Sequence, residues 1–372
     1  MDSERFLELL PCEFFTGVPD SLLSAFSAGV IRRYGEGKGH IIAANEGNAV
    51  GLAAGYHLAT GKIPCVYLQN SGVGNIINPV TSLLSPLVYG IPCLFLVGWR
   101  GQPGKKDEPQ HAFMGKATRE LLEAAGVVTF LLEKDLAEER VLELIQATKQ
   151  VLAGGDSAAI LVEKGALTGE AYKPEKREAT LAREEAIACI LSVSSQDPIF
   201  CTTGKASREL FELRERRGEG HENDFLTVGS MGHCSCIALG AALQKPDRTH
   251  WCIDGDGAAL MHLGALCTIG KSGAENLIHV VINNGAHESV GGQPTGADRL
   301  DLTDFAKAAG YAFTARADGQ EGLMAALEQI KRAQKPAFLE IRCAVGARED
   351  LGRPTTTPAE NKTLFMNRLR ED

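Results

Sequence analysis

Short apolar runs recur along the chain, each closed by a glycine or a polar cluster, and longer stretches with helical spacing lie between them. In the first half the runs are GKIPCVYLQNSG, GIPCLFLVG and AAILVEKG, alternating with EGNAVGLAAGYHLA and ATRELLEAAG. The second half repeats the pattern with DPIFCTTG, a helix containing SRELFELRER, then DFLTVGSMGHCSCIALGAALQK, WCIDGDG, IHVVINN and AFLEIRC. Continuous apolar runs alternating with helices predict largely parallel sheets covered by helices, an α/β fold of two doubly wound domains. Between 166 and 181, ALTGEAYKPEKREATL has few large apolar residues, a proline and many charges, and reads as a linker. The expected domains are therefore 1–165 and 182–372, the second ending in a Pro/Thr-rich tail, GAREDLGRPTTTPAENKTLFM. No sequence repeat links the halves.

Composition narrows the classes. A chain of 372 residues can build two cores, and 44% hydrophobic with 23% charged residues is globular rather than disordered. No run of ~18 apolar residues is present to span a bilayer. The opening MDSERFLELL puts Asp2, Glu4 and Arg5 where a signal peptide needs a basic then apolar stretch, so a cytoplasmic protein is expected. The net charge of -9 argues against a nucleic-acid partner. The ten cysteines are dispersed, and Cys65, Cys93, Cys201, Cys252 and Cys343 read as buried small hydrophobes. Cys234 and Cys236 form a C-x-C pair with no second cluster at zinc spacing, which favours packing over metal or redox chemistry.

The chemistry concentrates between residues 251 and 289. WCIDGDG ends in Gly255-Asp256-Gly257 and IHVVINN ends in Asn283-Asn284, separated by residues for one helix and one returning strand. Such a βαβ unit places Asp256 and Asn284 at the carboxyl ends of adjacent parallel strands, where open α/β sheets bind ligands. Gly-Asp-Gly alone is ordinary turn chemistry. Paired with Asn284 at this spacing, it offers oxygen ligands to a hard cation such as Mg²⁺, which takes its remaining ligands from water and phosphate.

This span resembles the thiamine diphosphate signature, and the resemblance implies Mg²⁺ held by Asp256, Asn284 and the carbonyl of Ala286. With FTGVPDSLL, NEGNAVG, DEPQH, GSMGH and NNGAHESVGGQPT, nearly the whole chain is similar to the thiamine diphosphate-dependent decarboxylases of 3-substituted pyruvates. That family implies a pyrimidine domain and a diphosphate domain, here without a middle domain. It also implies non-oxidative decarboxylation of 3-phosphonopyruvate to phosphonoacetaldehyde and CO₂. Alternatives are decarboxylation of 3-sulfopyruvate, a thiamine-dependent carboligation or, in a different class, a non-catalytic cofactor-binding protein. A homodimer or higher even homo-oligomer, with sites at the subunit interface, is implied as well.

Individual residues then take expected roles. Glu46, at the loop-to-helix junction in AANEGNAVG, matches the family's activating carboxylate against the cofactor's aminopyrimidine; Asn45 beside it is a good N-cap, so capping is the competing role. Burial is expected to raise the Glu46 pKa. Gly229, Ser230, Met231 and Gly232 form a glycine loop before a small-residue helix, a diphosphate site with Met231 as an apolar wedge. Gly204, Gly255 and Gly257 are further cofactor contacts, Gly204 equally a tight turn. Asp20 and Ser21 resemble the substrate-side loop, with Asp20 a proton relay or the N-cap of SLLSAF. In the polar loop 98–118, His111 is the candidate proton donor, and Arg100, Lys105 and Lys106 are candidate anion ligands or merely solvated charges. His233, His287 and Ser289 flank the cofactor loops and His287 is assigned to the substrate, whereas His57, His262 and His279 are assigned surface or packing roles. Arg348 and Arg353, in the tail, are candidates to close over an anionic substrate.

Overall fold

Both faces of each sheet are covered, which is why its strands read as unbroken apolar runs. The computed structural model describes residues 1–174, 179, 181–194 and 196–371; residues 175–178 and 180 of the expected linker lie outside them. The chain divides into two compact units, Met1–Lys173 with Val290–Gln293, and Pro174–Ser289 with Pro294–Asp372. In the first unit β1 (Phe15–Gly17), β2 (His40–Ile42), β3 (Cys65–Gln69), β4 (Leu94–Gly98), β5 (Val128–Leu132) and β6 (Ala158–Val162) pair in the order β2-β1-β3-β4-β6-β5. Every pairing is parallel. Successive residues of β4 serve opposite cores: Leu94 and Leu96 pack with Phe6, Phe15 and Phe26, while Phe95 and Val97 pack with Ala49, Val50 and Ile76.

The second unit has β7 (Ile199–Cys201), β8 (Asp224–Leu226), β9 (His250–Gly255), β10 (Leu277–Asn283), β11 (Phe313–Asp318) and β12 (Ala337–Arg342), all parallel, in the order β11-β12-β10-β9-β7-β8. Counted from its own first strand, each sheet runs 2-1-3-4-6-5, so the halves share a topology that their sequences do not betray. The predicted adjacency holds: Ile282 on β10 pairs with Gly255 on β9. The segment between them is not one helix but two, Asp256–Met261 and Gly264–Gly270. The break falls at His262, which leaves helical φ/ψ and stacks on His233 with ring centroids 4.2 Å apart.

Two other segments are more regular than expected. Half of the polar loop 98–118 belongs to a helix, Pro109–Ala124, that starts on a proline. The C-terminal stretch is not a plain tail: Thr357 and Glu360 form a capping box for the helix Pro358–Arg370, and Phe365 packs on Phe200 at 5.1 Å. Asn361 explains where that helix docks. Strand β8 is a sheet edge with unpaired backbone groups, and the buried Asn361 amide accepts from Leu226 N at 3.0 Å and donates to the Asp224 carbonyl at 2.8 Å. Asn361→Ala leaves both groups unsatisfied and is expected to lower the unfolding free energy by about 1–3 kcal/mol, read from the midpoint of a urea titration; an unchanged midpoint refutes the edge-pairing role.

All ten cysteines are free; Cys65, Cys93, Cys201, Cys252 and Cys343 are fully buried, as read, and Cys236 is exposed. No described helix is long and apolar enough to cross a membrane.

Candidate functional site

Parallel strands leave their carboxyl ends, and the loops that follow them, as the natural place for polar side chains. In the first unit the ends of β1, β3 and β4 gather one cluster. Asp20, after β1, is completely buried; its carboxylate accepts from Gln69 Nε2 at the end of β3 (2.6 Å) and from Leu22 N (3.2 Å). It does not cap the following helix, which begins at Ser24 with Leu23 as an N-cap lacking any side-chain bond. Gly98 at the end of β4 is required for this packing, because a Cβ there falls 1.9 Å from Asp20 Oδ2. Burial pushes the Asp20 carboxyl up from its ordinary range, opposed by Gln69 and Arg100.

Arg100 reaches the same place, donating to Ser21 Oγ at 3.3 Å while it forks onto Asp107 at 2.8 and 2.5 Å. His111 lies in the first turn of the helix Pro109–Ala124, buried, with Nδ1 lacking a hydrogen-bond partner. Burial, then the Arg100 charge, lowers its pKa, so it is neutral at pH 7. Lys105 pairs instead with Glu163 at 2.8 Å, and Lys106 is exposed. Gln69 was not among the sequence candidates, although its place at a strand end next to Asn70 could have flagged it.

Glu46 opens the helix Glu46–Thr60, and capping and burial are divided between neighbours: Asn45 caps by accepting from Gly47 N, while Glu46 turns inward and is 5% exposed. One carboxylate oxygen accepts from Asn75 Nδ2 at 2.7 Å. The carboxylate also lies against Gly72, where a Cβ comes within 2.3 Å of Oε1. Burial raises the Glu46 pKa despite the Asn75 bond, as expected of a group that shares a proton near neutral pH.

In the second unit the glycine loops occupy four strand ends. Gly204, after β7, has φ 102° and open space on its Cβ side. After β8, Gly229, Ser230 and Gly232 take φ of 70°, 46° and 85°, with Met231 partly buried between them. A left-handed serine is a strained conformation of the kind that concentrates where backbone amides serve a ligand. Asp256 follows β9 and accepts from Thr295 Oγ1 at 2.6 Å; Gly255 has open space on its Cβ side, and Gly257 packs against the buried His287 ring. Burial holds His287 neutral, its pKa lowered to about 4. Asn284 follows β10, its Oδ1 accepting from Ala286 N at 3.1 Å and its Nδ2 donating to Glu288 at 2.8 Å.

This donor set fits a hard cation: a carboxylate, an amide oxygen and a main-chain carbonyl on adjacent strand ends, beside Gly255, whose Cβ side is open. Arg348 is engaged by Glu184, Glu212 and Asp350, and Arg353 is exposed. Glu288, Arg183 and Lys205 escaped sequence reading because long-range ion pairs leave no periodic trace.

Comparison with known proteins agrees with this arrangement. Residues 5–121 match the family model for the thiamine pyrophosphate enzyme N-terminal TPP binding domain, and 202–341 that for the C-terminal TPP binding domain. The chain is 34% identical over 374 residues to phosphonopyruvate decarboxylase of Streptomyces viridochromogenes, covering 96% of this chain and 89% of that one. It is 33% identical to the enzyme of the same name from Streptomyces hygroscopicus, with 96% and 88% coverage. Sulfopyruvate decarboxylase of Methanosarcina acetivorans is 33% identical over 80% of this chain and 79% of its own length.

Proposed function

Because the chain belongs to the phosphonopyruvate decarboxylase family of thiamine pyrophosphate enzymes, we propose that it decarboxylates 3-phosphonopyruvate to phosphonoacetaldehyde and CO₂ with Mg²⁺ as the bound cation. The observation that carries this reading is Asp256 and Asn284 on adjacent parallel strand ends, in a chain whose full-length relatives bear that name. Bound thiamine diphosphate supplies the electron sink for the electrons left when CO₂ departs.

The protein's own groups do the rest. Glu46 holds a proton at a buried carboxyl whose raised pKa suits exchange with the cofactor's pyrimidine nitrogen. Asp256, Asn284 and the Ala286 carbonyl hold the cation. Gly204, Gly229, Ser230 and Gly232 bring backbone amides to the diphosphate, with Gly255 and Gly257 shaping the metal turn and Met231 supporting the cofactor. Asp20, by its raised pKa, is the group for protonating the product carbon; His111, neutral at pH 7 and with an Nδ1 lacking a partner, ranks behind it.

For the phosphonate, Arg100 is the best placed cation because it lies beside Asp20 and Ser21. Arg100 holds Asp107 just as Lys105 and Arg348 hold carboxylates of their own, so its place beside Asp20 and Ser21 is what ranks it ahead of them and of Lys106, His287 and Arg353. A net charge of -9 makes such local clustering necessary for a multiply charged substrate. A homodimer or larger even assembly, with each site shared between subunits, belongs to the same proposal.

The test is CO₂ release by purified protein with thiamine diphosphate and Mg²⁺, offering 3-phosphonopyruvate, 3-sulfopyruvate and pyruvate in parallel and identifying the aldehyde. The expected result is preference for 3-phosphonopyruvate, abolished by chelation. Turnover of 3-sulfopyruvate alone sinks the substrate assignment and keeps the mechanism.

A further inference from the structure

An asparagine that ligates a cation must present its oxygen, yet its side-chain amide has two ends of nearly equal size and opposite polarity. Something beside the ligand has to choose between them. In the second unit that choice is made by two groups with no freedom to reverse roles. Glu288 carboxylate accepts from Asn284 Nδ2 at 2.8 Å, and Ala286 N–H donates to Asn284 Oδ1 at 3.1 Å. Turning the amide over sets oxygen against a carboxylate and NH₂ against an N–H, so both contacts become repulsive.

Glu288 is itself fixed. Arg183 Nη1 meets its Oε2 at 2.8 Å and Lys205 Nζ its Oε1 at 2.7 Å. Arg183 is anchored in turn by a buried fork onto Glu209, at 2.6 and 2.8 Å, and is 7% exposed. The two cations take one oxygen each, so the Glu288 carboxylate faces Asn284 as an acceptor held on both sides. The anchors come from the helices Arg183–Ser194 and Lys205–Arg217, elements distant in sequence from the loop they steady.

We propose that Glu288, clamped by Arg183 and Lys205, is a positioning residue that locks the Asn284 amide with its oxygen toward the bound divalent cation. The inference rests on the assignment of Asn284 as a metal ligand under Proposed function. Glu288 touches neither the metal nor the substrate in this role; it acts through Asn284.

The test separates orientation from mere scaffolding. Mn²⁺, followed by electron paramagnetic resonance in the presence of thiamine diphosphate, reports the metal site directly and without turnover. E288A in the otherwise unchanged chain is expected to weaken Mn²⁺ binding by about 10- to 100-fold. A carboxylate at position 284 has two equivalent oxygens and needs no orienting, so in an N284D background E288A is expected to change Mn²⁺ affinity by less than about threefold or to improve it, as one of two facing carboxylates is removed. E288Q, which keeps the side-chain volume and an acceptor oxygen, is expected to fall between the unsubstituted chain and E288A, and it serves if E288A does not fold. Equal losses in both backgrounds overturn the positioning role and leave the cofactor reading standing. No thiamine diphosphate-dependent Mn²⁺ binding by the unsubstituted chain overturns the cofactor reading, and this proposal with it.

Discussion

Glu46→Gln is expected to lower the rate of CO₂ release by about 10²- to 10⁴-fold, the usual contribution of a positioned acid or base, while thiamine diphosphate still binds. Glutamine keeps the volume and the oxygen that Asn75 Nδ2 donates to, so the local packing survives; what disappears is the exchangeable proton. The same substitution is expected to stabilise the cofactor-free protein. Burial raises the Glu46 pKa in the folded state, so its favourable contribution is fully present only below the ordinary carboxyl value and is lost as pH rises through the raised one. At pH 7, above the ordinary carboxyl value, the raised pKa of this buried group costs the folded apoprotein stability, a cost that Gln removes. Thermal unfolding of the two apoproteins should show Glu46→Gln higher at pH 7, with the gap closing toward pH 4. Full activity in this variant refutes the role of Glu46, whatever its stability.

Asp224→Ala should produce the largest loss of stability in the second unit, about 3–5 kcal/mol. Asp224 is completely buried at the edge strand β8, and both of its oxygens are held by Arg214 at 2.9 Å in a fork. Removing the carboxylate leaves a guanidinium that is 2% exposed, with Glu219 as its remaining ion-pair partner. The expected result is a lower urea midpoint for the second unit. Replacing both residues together, R214M with D224L, should recover much of the loss, because the penalty lies in the widowed charge and not in the absence of the pair. If D224A matches the unsubstituted protein, the ion pair is contributing nothing and the fork is incidental.

How much of this was legible beforehand follows from what leaves a local trace. The βαβ unit carrying Asp256 and Asn284 was readable because apolar runs, a glycine turn and an Asn pair are all short-range signals. The inward turn of Glu46 was only half readable: the sequence showed two groups at a helix start, and folding assigned the cap to Asn45 and the burial to Glu46. The helix Pro358–Arg370 reads as a tail in the sequence because few apolar residues drive it; beside Phe365 on Phe200, its anchor is the polar Asn361 on the β8 backbone. Asp20 lost its capping role because Gln69, nearly fifty positions away, claims its carboxylate. The clamp on Glu288 joins positions 183, 205, 209 and 288 and has no periodicity to detect.

The strand order has a bearing on how the protein is made. β6 lies between β4 and β5, and β12 between β10 and β11, so in each sheet the last strand to leave the ribosome is an internal one. The first sheet can close once Val162 has emerged. The second has to wait for Ala337–Arg342, and until then the seven-residue apolar strand Leu277–Asn283 keeps an open edge while Phe313–Asp318 has no neighbour to pair with. A chain stalled or cut before Ala337 thus exposes an unpaired, charge-free edge of the kind that recruits other chains, and the second half of this protein stays in that vulnerable state from the emergence of Asn283 until that of Arg342.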